Sequence, residues 1–285
     1  MRKLIYRILP RTARVFLKRL YYNNFVLPKI KKENKIEYGY SDFFNIINIE
    51  TTTYCNLRCK FCPNSIYDRG ILKNKKLMDT NFFKKIIDEL ASINFCGGIA
   101  LQLYGEPLSD ERMPELINYV RNKCPKSYIT VNTNGFFLTI PLYKTLVKSG
   151  LNNLLISQYN DSVQPNYKQV MKYLETRPKE ENKITYRVFD GKVGSPAVCN
   201  RGGEIKVNRL PDMPSCVYPK KVVHVDYAGN VILCGHDYHS SFIFGNLKKE
   251  CLINIWNSPK YKQIRNELND FKFNLNICKR CVGEL

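Results

Sequence analysis

Seven of the eleven cysteines fall into two sets whose spacing suits metal chemistry. Cys55, Cys59 and Cys62 form C-x3-C-x2-C, with Phe61 before the last cysteine and Pro63 after it. Three thiolates on one short loop can ligate three irons of a [4Fe-4S] cube and leave the fourth iron open to a substrate or cofactor. A zinc knuckle would instead call for two closed pairs with a fourth ligand nearby. Cys216, Cys234, Cys278 and Cys281 follow as C-x17-C-x43-C-x2-C. Four thiolates converging from a hairpin and a terminal pair can close a tetrahedral zinc site or an iron-sulfur cluster, and spacing alone leaves both open.

The elements that must position these groups alternate in type. An apolar strand over residues 46–51 runs straight into the first cysteine loop. A helix over 80–92 carries Phe82, Phe83, Ile86, Ile87 and Leu90 at helical spacing, and a strand over 99–103 completes a βαβ unit. The pattern repeats as helix 113–123, strand 128–132, helix 142–148, strand 154–157, helix 167–175 and strand 184–189. Five strands alternating with four helices imply a parallel sheet, and an α/β barrel or open part-barrel fits best. After Asp190 the periodicity fails and Gly, Pro, Asn and Cys take over. Beyond that break, strands over 222–227 and 231–234 read as a hairpin, and a helix over 260–268 leads to the final cysteine pair. So little core would need bound metal to hold it together.

Lysine and arginine number 45 against 25 acidic residues, a net charge of +20. Residues 1–36 hold eleven of the basic groups and one acid, Glu33. The excess calls for an anionic partner. On a helical wheel Leu4, Ile5, Ile8, Leu9, Val15, Phe16 and Leu20 span about 160°, and Lys3, Arg7, Arg11, Arg14 and Lys18 an opposing arc of about 80°. Arg2 and Arg19 land on the apolar side, and Pro10 kinks or splits the helix. Such an arm either lies on an anionic membrane or packs on the barrel with its charges solvated. No run of 18 apolar residues and no secretory signal is present, which places the chain in the cytoplasm, with peripheral contact at the inner face of the membrane under the first reading. Reduced cytosolic thiols argue for metal binding over disulfides.

In spacing and position the first cysteine loop resembles the signature of the radical S-adenosylmethionine (SAM) superfamily. The resemblance implies a partial (β/α)6 TIM-like barrel, with SAM chelated on the open iron of a [4Fe-4S] cluster. Reduction then cleaves SAM to a 5′-deoxyadenosyl radical that abstracts a substrate hydrogen. It also implies an electron donor such as flavodoxin or ferredoxin. Tyr104, Gly105, Glu106 and Pro107 resemble the family's G-E-P turn, which holds the methionine amino group, with Tyr104 where a glycine is usual. Thr133, Asn134 and Gly135 resemble its T-N-G, and Ser157 ends the fourth strand where members contact the cofactor. The second cysteine set, with Gly245-Asn246-Leu247 and Ile255-Trp256-Asn257, resembles a truncated SPASM or twitch domain, a small α+β unit holding one auxiliary [4Fe-4S] cluster. Its spacing is similar to that of a cyclitol dehydrogenase. The implied organisation is a basic arm (1–36), the barrel (37–198), a linker (199–211) and the auxiliary domain (212–285).

Arg201, in Asn200-Arg201-Gly202-Gly203, resembles an element upstream of the auxiliary cluster in SPASM proteins. It could clamp the cofactor carboxylate or an anionic substrate. Cys199 and Cys251 are candidates to return a hydrogen atom to a substrate radical, and Asp237, His236 or His239 to act as base, while His224 reads as structural. Cys96 and Cys124 read as packing or surface residues. The expectation is oxidation or epimerisation of a sugar, cyclitol or related polar metabolite, anionic or lipid-linked if the arm meets a membrane. The rivals are a peptide-modifying radical SAM enzyme and a non-enzymatic zinc-binding nucleic-acid module. A nucleic-acid partner is disfavoured, since no base-stacking module follows the arm.

Overall fold

A computed structural model of the chain describes residues 10–158, 163–189, 199–207, 216 and 218–285, without the side chains of Arg11 and Val15. The expectations for residues 1–9 of the arm, 208–211 of the linker and 212–215 of the auxiliary domain lie outside the described residues.

The alternating pattern becomes a parallel sheet. Strand β1 (Ile46–Ile49) is followed by α3 (Thr80–Ser92), which Asp79 caps by accepting the Phe82 N–H at 2.8 Å and which buries Phe83, Ile86, Ile87 and Leu90. Then come β2 (Gly98–Ala100), α4 (Met113–Lys123), β3 (Tyr128–Thr133) and α5 (Ile140–Lys148). The series ends with β4 (Asn153–Gln158), α6 (Pro165–Glu175) and β5 (Ile184–Val188). Each strand pairs in parallel with the next. Ile47, Ile49, Ile99, Val131 and Leu154 are fully buried between the sheet and its helices. At about 25 cal/mol per Å², burial of this kind is the main term holding the layers together.

The sixth parallel strand does not extend the sheet beyond β5. After a helical turn, α7 (Tyr218–Lys221), strand β6 (Val222–Val225) pairs with the other edge of β1, Ile47 opposite Val223. All four residues of β6 are buried, which an edge position could not provide. Strands β7 (Asn230–Ile232) and β8 (Ile243–Asn246) continue antiparallel, giving the order β5-β4-β3-β2-β1-β6-β7-β8. One sheet therefore runs from the barrel into the auxiliary region. Helices α8 (Leu252–Asn257), α9 (Pro259–Asn269) and α10 (Asn276–Val282) close the chain. Trp256, fully buried, donates its indole N–H to the Asp42 carbonyl at 3.2 Å and meets Phe44 edge-on.

The arm is helical well beyond its amphipathic stretch. Pro10 stands at the N-cap of α1 (Arg11–Tyr21), which passes through a π-helical turn, Tyr22–Val26, into α2 (Leu27–Tyr38). Gly39, at φ +75°, ends it in the left-handed conformation that glycine adopts without steric cost. Of the expected apolar arc, the two side chains that are described are both exposed, Phe16 to 59% and Leu20 to 44%. Contact is made by Arg19, whose guanidinium donates to the Asp270 carbonyl at 3.3 Å and lies 4.1 Å over the Phe271 ring, and by buried Tyr22. Arg19, one of the two off-pattern arginines of the wheel, is thus an anchor.

Candidate active site

The cysteine loop leaves β1 at Glu50, which is fully buried. The Glu50 carboxylate takes the Arg69 guanidinium at 2.5 Å and accepts the backbone N–H groups of Tyr227 at 3.3 Å and Tyr104 at 3.4 Å. Burial still pushes the Glu50 carboxyl above its usual range, against the pull of Arg69. Arg69 sits on the short helical turn Asp68–Gly70, whose Gly70 carbonyl accepts the Cys55 N–H at 3.0 Å. Asn64 donates to the Tyr104 carbonyl at 3.0 Å and accepts the Tyr238 hydroxyl at 2.8 Å. The loop is therefore tied to the end of β2 and to the auxiliary region at once. Gly105 allows the closest approach: a Cβ there would stand 1.9 Å from the Thr52 carbonyl oxygen.

At the carboxyl ends of the strands lies a cavity of about 320 Å³. Cys55, Cys59 and Cys62 line it together with Tyr104, Gly105, Glu106, Asn134, Ser157, Arg201 and His236. Glu106 is held rigidly, its carboxylate accepting Thr133 Oγ1 at 2.5 Å and the backbone N–H groups of Asn134 at 2.9 Å and Leu108 at 3.0 Å. Burial lifts its pKa to about 6 in spite of these bonds. Asn134 is fixed in turn by donating to Asn56 Oδ1 and accepting the Phe136 N–H. Two buried polar atoms on the cavity wall, the Tyr104 hydroxyl and His224 Nδ1, have no hydrogen-bond partner among the described residues. Burial holds His224 neutral, its pKa down at about 3.

Behind His236 lies the second cysteine set, lining a recess with Phe273, Ile277 and Val282. His236 joins the two places: its Nε2 is 3.3 Å from Cys199 Sγ and its Nδ1 3.7 Å from Cys281 Sγ. Burial would raise the Cys199 thiol, but His236 and Arg201 outweigh it and bring it down to about 6. Burial would lower His236, but the two thiols lift it to about 9.

Not every expected residue reaches the cavity. Pro107 is buried in the turn that follows Glu106. Asp237 is not a base facing substrate: its carboxylate closes its own turn, accepting the Ser241 N–H and hydroxyl and the Phe242 N–H. Cys251 is exposed at the N-cap of α8, away from the cavity. Conversely, Tyr218 and His224 line the wall, as do Asn48, Gln102 and Asn132, all from strands or strand ends. The alternation of the strands was the signal for the last three. Cys124 is buried and Cys96 donates to Glu37, as packing residues would.

The donor sets fit iron-sulfur clusters. Burial pushes Cys55 up to about 12 and Cys59 to about 11, with Cys62 adding to both and Cys59 to Cys55. Cys278 is likewise pushed up to about 12, by burial and then by Cys216 and Cys281. Thiolates in such places require a cationic centre.

Comparison with known proteins agrees. Residues 49–179 match the family described as the radical SAM superfamily, and the chain belongs to it. Residues 216–282 match SPASM, an iron-sulfur cluster-binding domain, so it is a radical SAM enzyme with an auxiliary iron-sulfur domain, and the zinc-module reading falls. The S-adenosyl-L-methionine-dependent 2-deoxy-scyllo-inosamine dehydrogenase of Niallia circulans is 28% identical over 84% of this chain and 92% of its own. The crystal structure of BtrN in complex with AdoMet and 2-DOIA superimposes with TM-score 0.74 at 27% identity, over 84% of this chain and 93% of that one. Native anSMEcpe with bound AdoMet shares the fold at TM-score 0.52 and 14% identity, over 83% and 90%.

Replacing Glu50 by Ala leaves Arg69 buried without its counter-charge. The expected loss is about 3–5 kcal/mol, read as a lower urea midpoint of the metal-free protein. An unchanged midpoint would show that the pair does not hold the loop.

Proposed function

We propose that the chain is a radical SAM dehydrogenase of a small polar alcohol: a cyclitol, aminocyclitol or related sugar. The observation that carries this is the placement of Arg201 and His236 in the same cavity as the three loop cysteines, with the second cysteine set directly behind His236. The relationship to a cyclitol dehydrogenase over most of both chains supports it.

When bound, SAM with the cluster on Cys55, Cys59 and Cys62 supplies a 5′-deoxyadenosyl radical, and a cluster on Cys216, Cys234, Cys278 and Cys281 supplies an electron acceptor. The chain's own groups position and deprotonate. Glu106 offers a desolvated carboxylate to an α-ammonium group, with Tyr104, Gly105 and Pro107 shaping that turn and Asn134 and Ser157 beside it. Arg201 holds two substrate oxygens, or a carboxylate, through parallel hydrogen bonds. A proton lost by the substrate is taken up by the His236–Cys199 pair, shared between Nε2 and Sγ. Because Cys199 touches a cavity residue, epimerisation with its thiol returning a hydrogen atom is the second reading.

The basic surface suits an acidic electron-donor protein such as flavodoxin or ferredoxin. No helix among the described residues is long and apolar enough to cross a membrane. Exposed Phe16, Leu20, Tyr21 and Phe25 among lysines and arginines support peripheral contact of the arm with an anionic membrane, and a lipid-linked substrate is consistent with such contact.

Three outcomes are expected. Reconstituted, reduced protein with SAM and aminocyclitols gives 5′-deoxyadenosine and a product two electrons more oxidised, without deuterium from heavy water at the reacting carbon. Redox-neutral product carrying solvent deuterium would decide for the epimerase. SAM affinity, measured by equilibrium dialysis, weakens about tenfold per pH unit below about 6 as Glu106 protonates. In Glu106→Gln that dependence flattens, and a slope unchanged by the substitution would remove Glu106 from the SAM site. In flotation assays the full chain rises with anionic liposomes and a chain starting at Glu37 does not, whereas equal behaviour would end the membrane reading.

A further inference from the structure

A second cavity, of about 140 Å³, lies between α2, the segment before β1, α7 and α9. None of its lining residues lines the catalytic cavity, and it does not depend on the catalytic reading. Lysines 31, 220 and 221 line it with Asn34, Asn266 and Asn269, of which Asn34 already donates to the Phe43 carbonyl at 3.0 Å. Lys220 is 8% exposed, and its ammonium has no hydrogen-bond acceptor among the described residues. The Tyr22 ring, 4.4 Å away, meets the charge but satisfies none of its three N–H donors in a conventional hydrogen bond. Asn269 Oδ1 is also buried without a partner. Since the two ends of an amide are assigned from their surroundings, a flipped Asn269 would present donors instead.

Few acidic groups offset these cations, and the one that acts on Lys220 is the Cys216 thiol. Asp42 lines the cavity but is engaged by Arg265, which pairs with it at 2.8 Å and also donates to the Trp256 carbonyl. Glu33 is the one carboxylate that acts on Lys221 among the described residues. Burial lowers Lys220 only to about 8, so it keeps its charge at neutral pH.

We propose that this cavity binds a phosphoryl oxyanion, the phosphate or pyrophosphate group of a metabolite or of a lipid headgroup. Donors reach it from three separate helices, as a tetrahedral group with several acceptor oxygens requires, and ammonium groups bind phosphate as point charges. The volume admits such a group and excludes a whole nucleotide. Its occupant would tie the arm to α7, the turn that leads into β6.

The test uses the full-length protein with both clusters loaded, titrated by calorimetry with inorganic phosphate and pyrophosphate against sodium chloride of matched ionic strength. Saturable binding is expected, and Lys220→Met should weaken it about tenfold or more while 5′-deoxyadenosine formation persists. Lys31→Gln, at an exposed position, should weaken it about threefold and guards against misfolding of the first variant. Absence of saturable binding beyond chloride, or wild-type affinity in both variants, overturns the site. Vesicles of phosphatidylcholine with and without phosphatidylglycerol identify the source. Loss of anionic-vesicle binding in Lys220→Met, with competition by pyrophosphate, assigns a headgroup. Vesicle binding indifferent to Lys220 assigns a soluble phosphorylated compound.

Discussion

The buried ion pair of Glu50 and Arg69 is the constraint on which the catalytic end of the molecule depends. Glu50 is the residue at which β1 stops, and through one carboxylate it reaches the turn after the cysteine loop, the start of the Tyr104 turn and the β6–β7 hairpin. A neutral contact would not select those partners, because an unpaired carboxylate in that place costs several kcal/mol. The aromatic rings of Tyr104, Tyr227 and Tyr238 stand within 6 Å of the guanidinium and screen it from water. The loop thereby acquires a shape before any metal arrives.

Metal and fold are nonetheless coupled. The thiols of Cys55, Cys59, Cys62, Cys216, Cys234 and Cys278 lie where burial disfavours their charge, so loading them with metal must release protons. Cys199 is the exception, a thiol drawn down by an imidazole and a guanidinium in a region otherwise hostile to anions. That contrast separates Cys199 electrostatically from the cysteines whose charge burial opposes.

Much of this was readable from local pattern. Helix α3 announces itself through the apolar spacing of Phe83, Ile86, Ile87 and Leu90, and α4 matches its expected span. The cysteine motifs and the Glu106 turn declare themselves by residue type. What could not be read was long-range. Nothing in Val222–Val225 says that its partner is β1, some 170 residues earlier, since a parallel pair leaves no local turn signal. Helix α8 and strand β8 are too short for periodicity. Asp237 looked reactive by type, but its place after a cysteine hid an ordinary turn-closing role. Arg19 looked like a flaw in an amphipathic wheel until Phe271 stood beneath it.

The pairing of β6 with β1 also bears on how the protein is born. The opening strand of the barrel keeps one row of backbone donors and acceptors bare until residues 222–225, some 175 residues further along, have left the ribosome. A nascent chain in that state carries a sticky seam beside its first cysteine loop, open to mispairing with other chains. Closing the seam is a late event of high contact order, and it is the same event that brings the auxiliary cysteines behind the cavity.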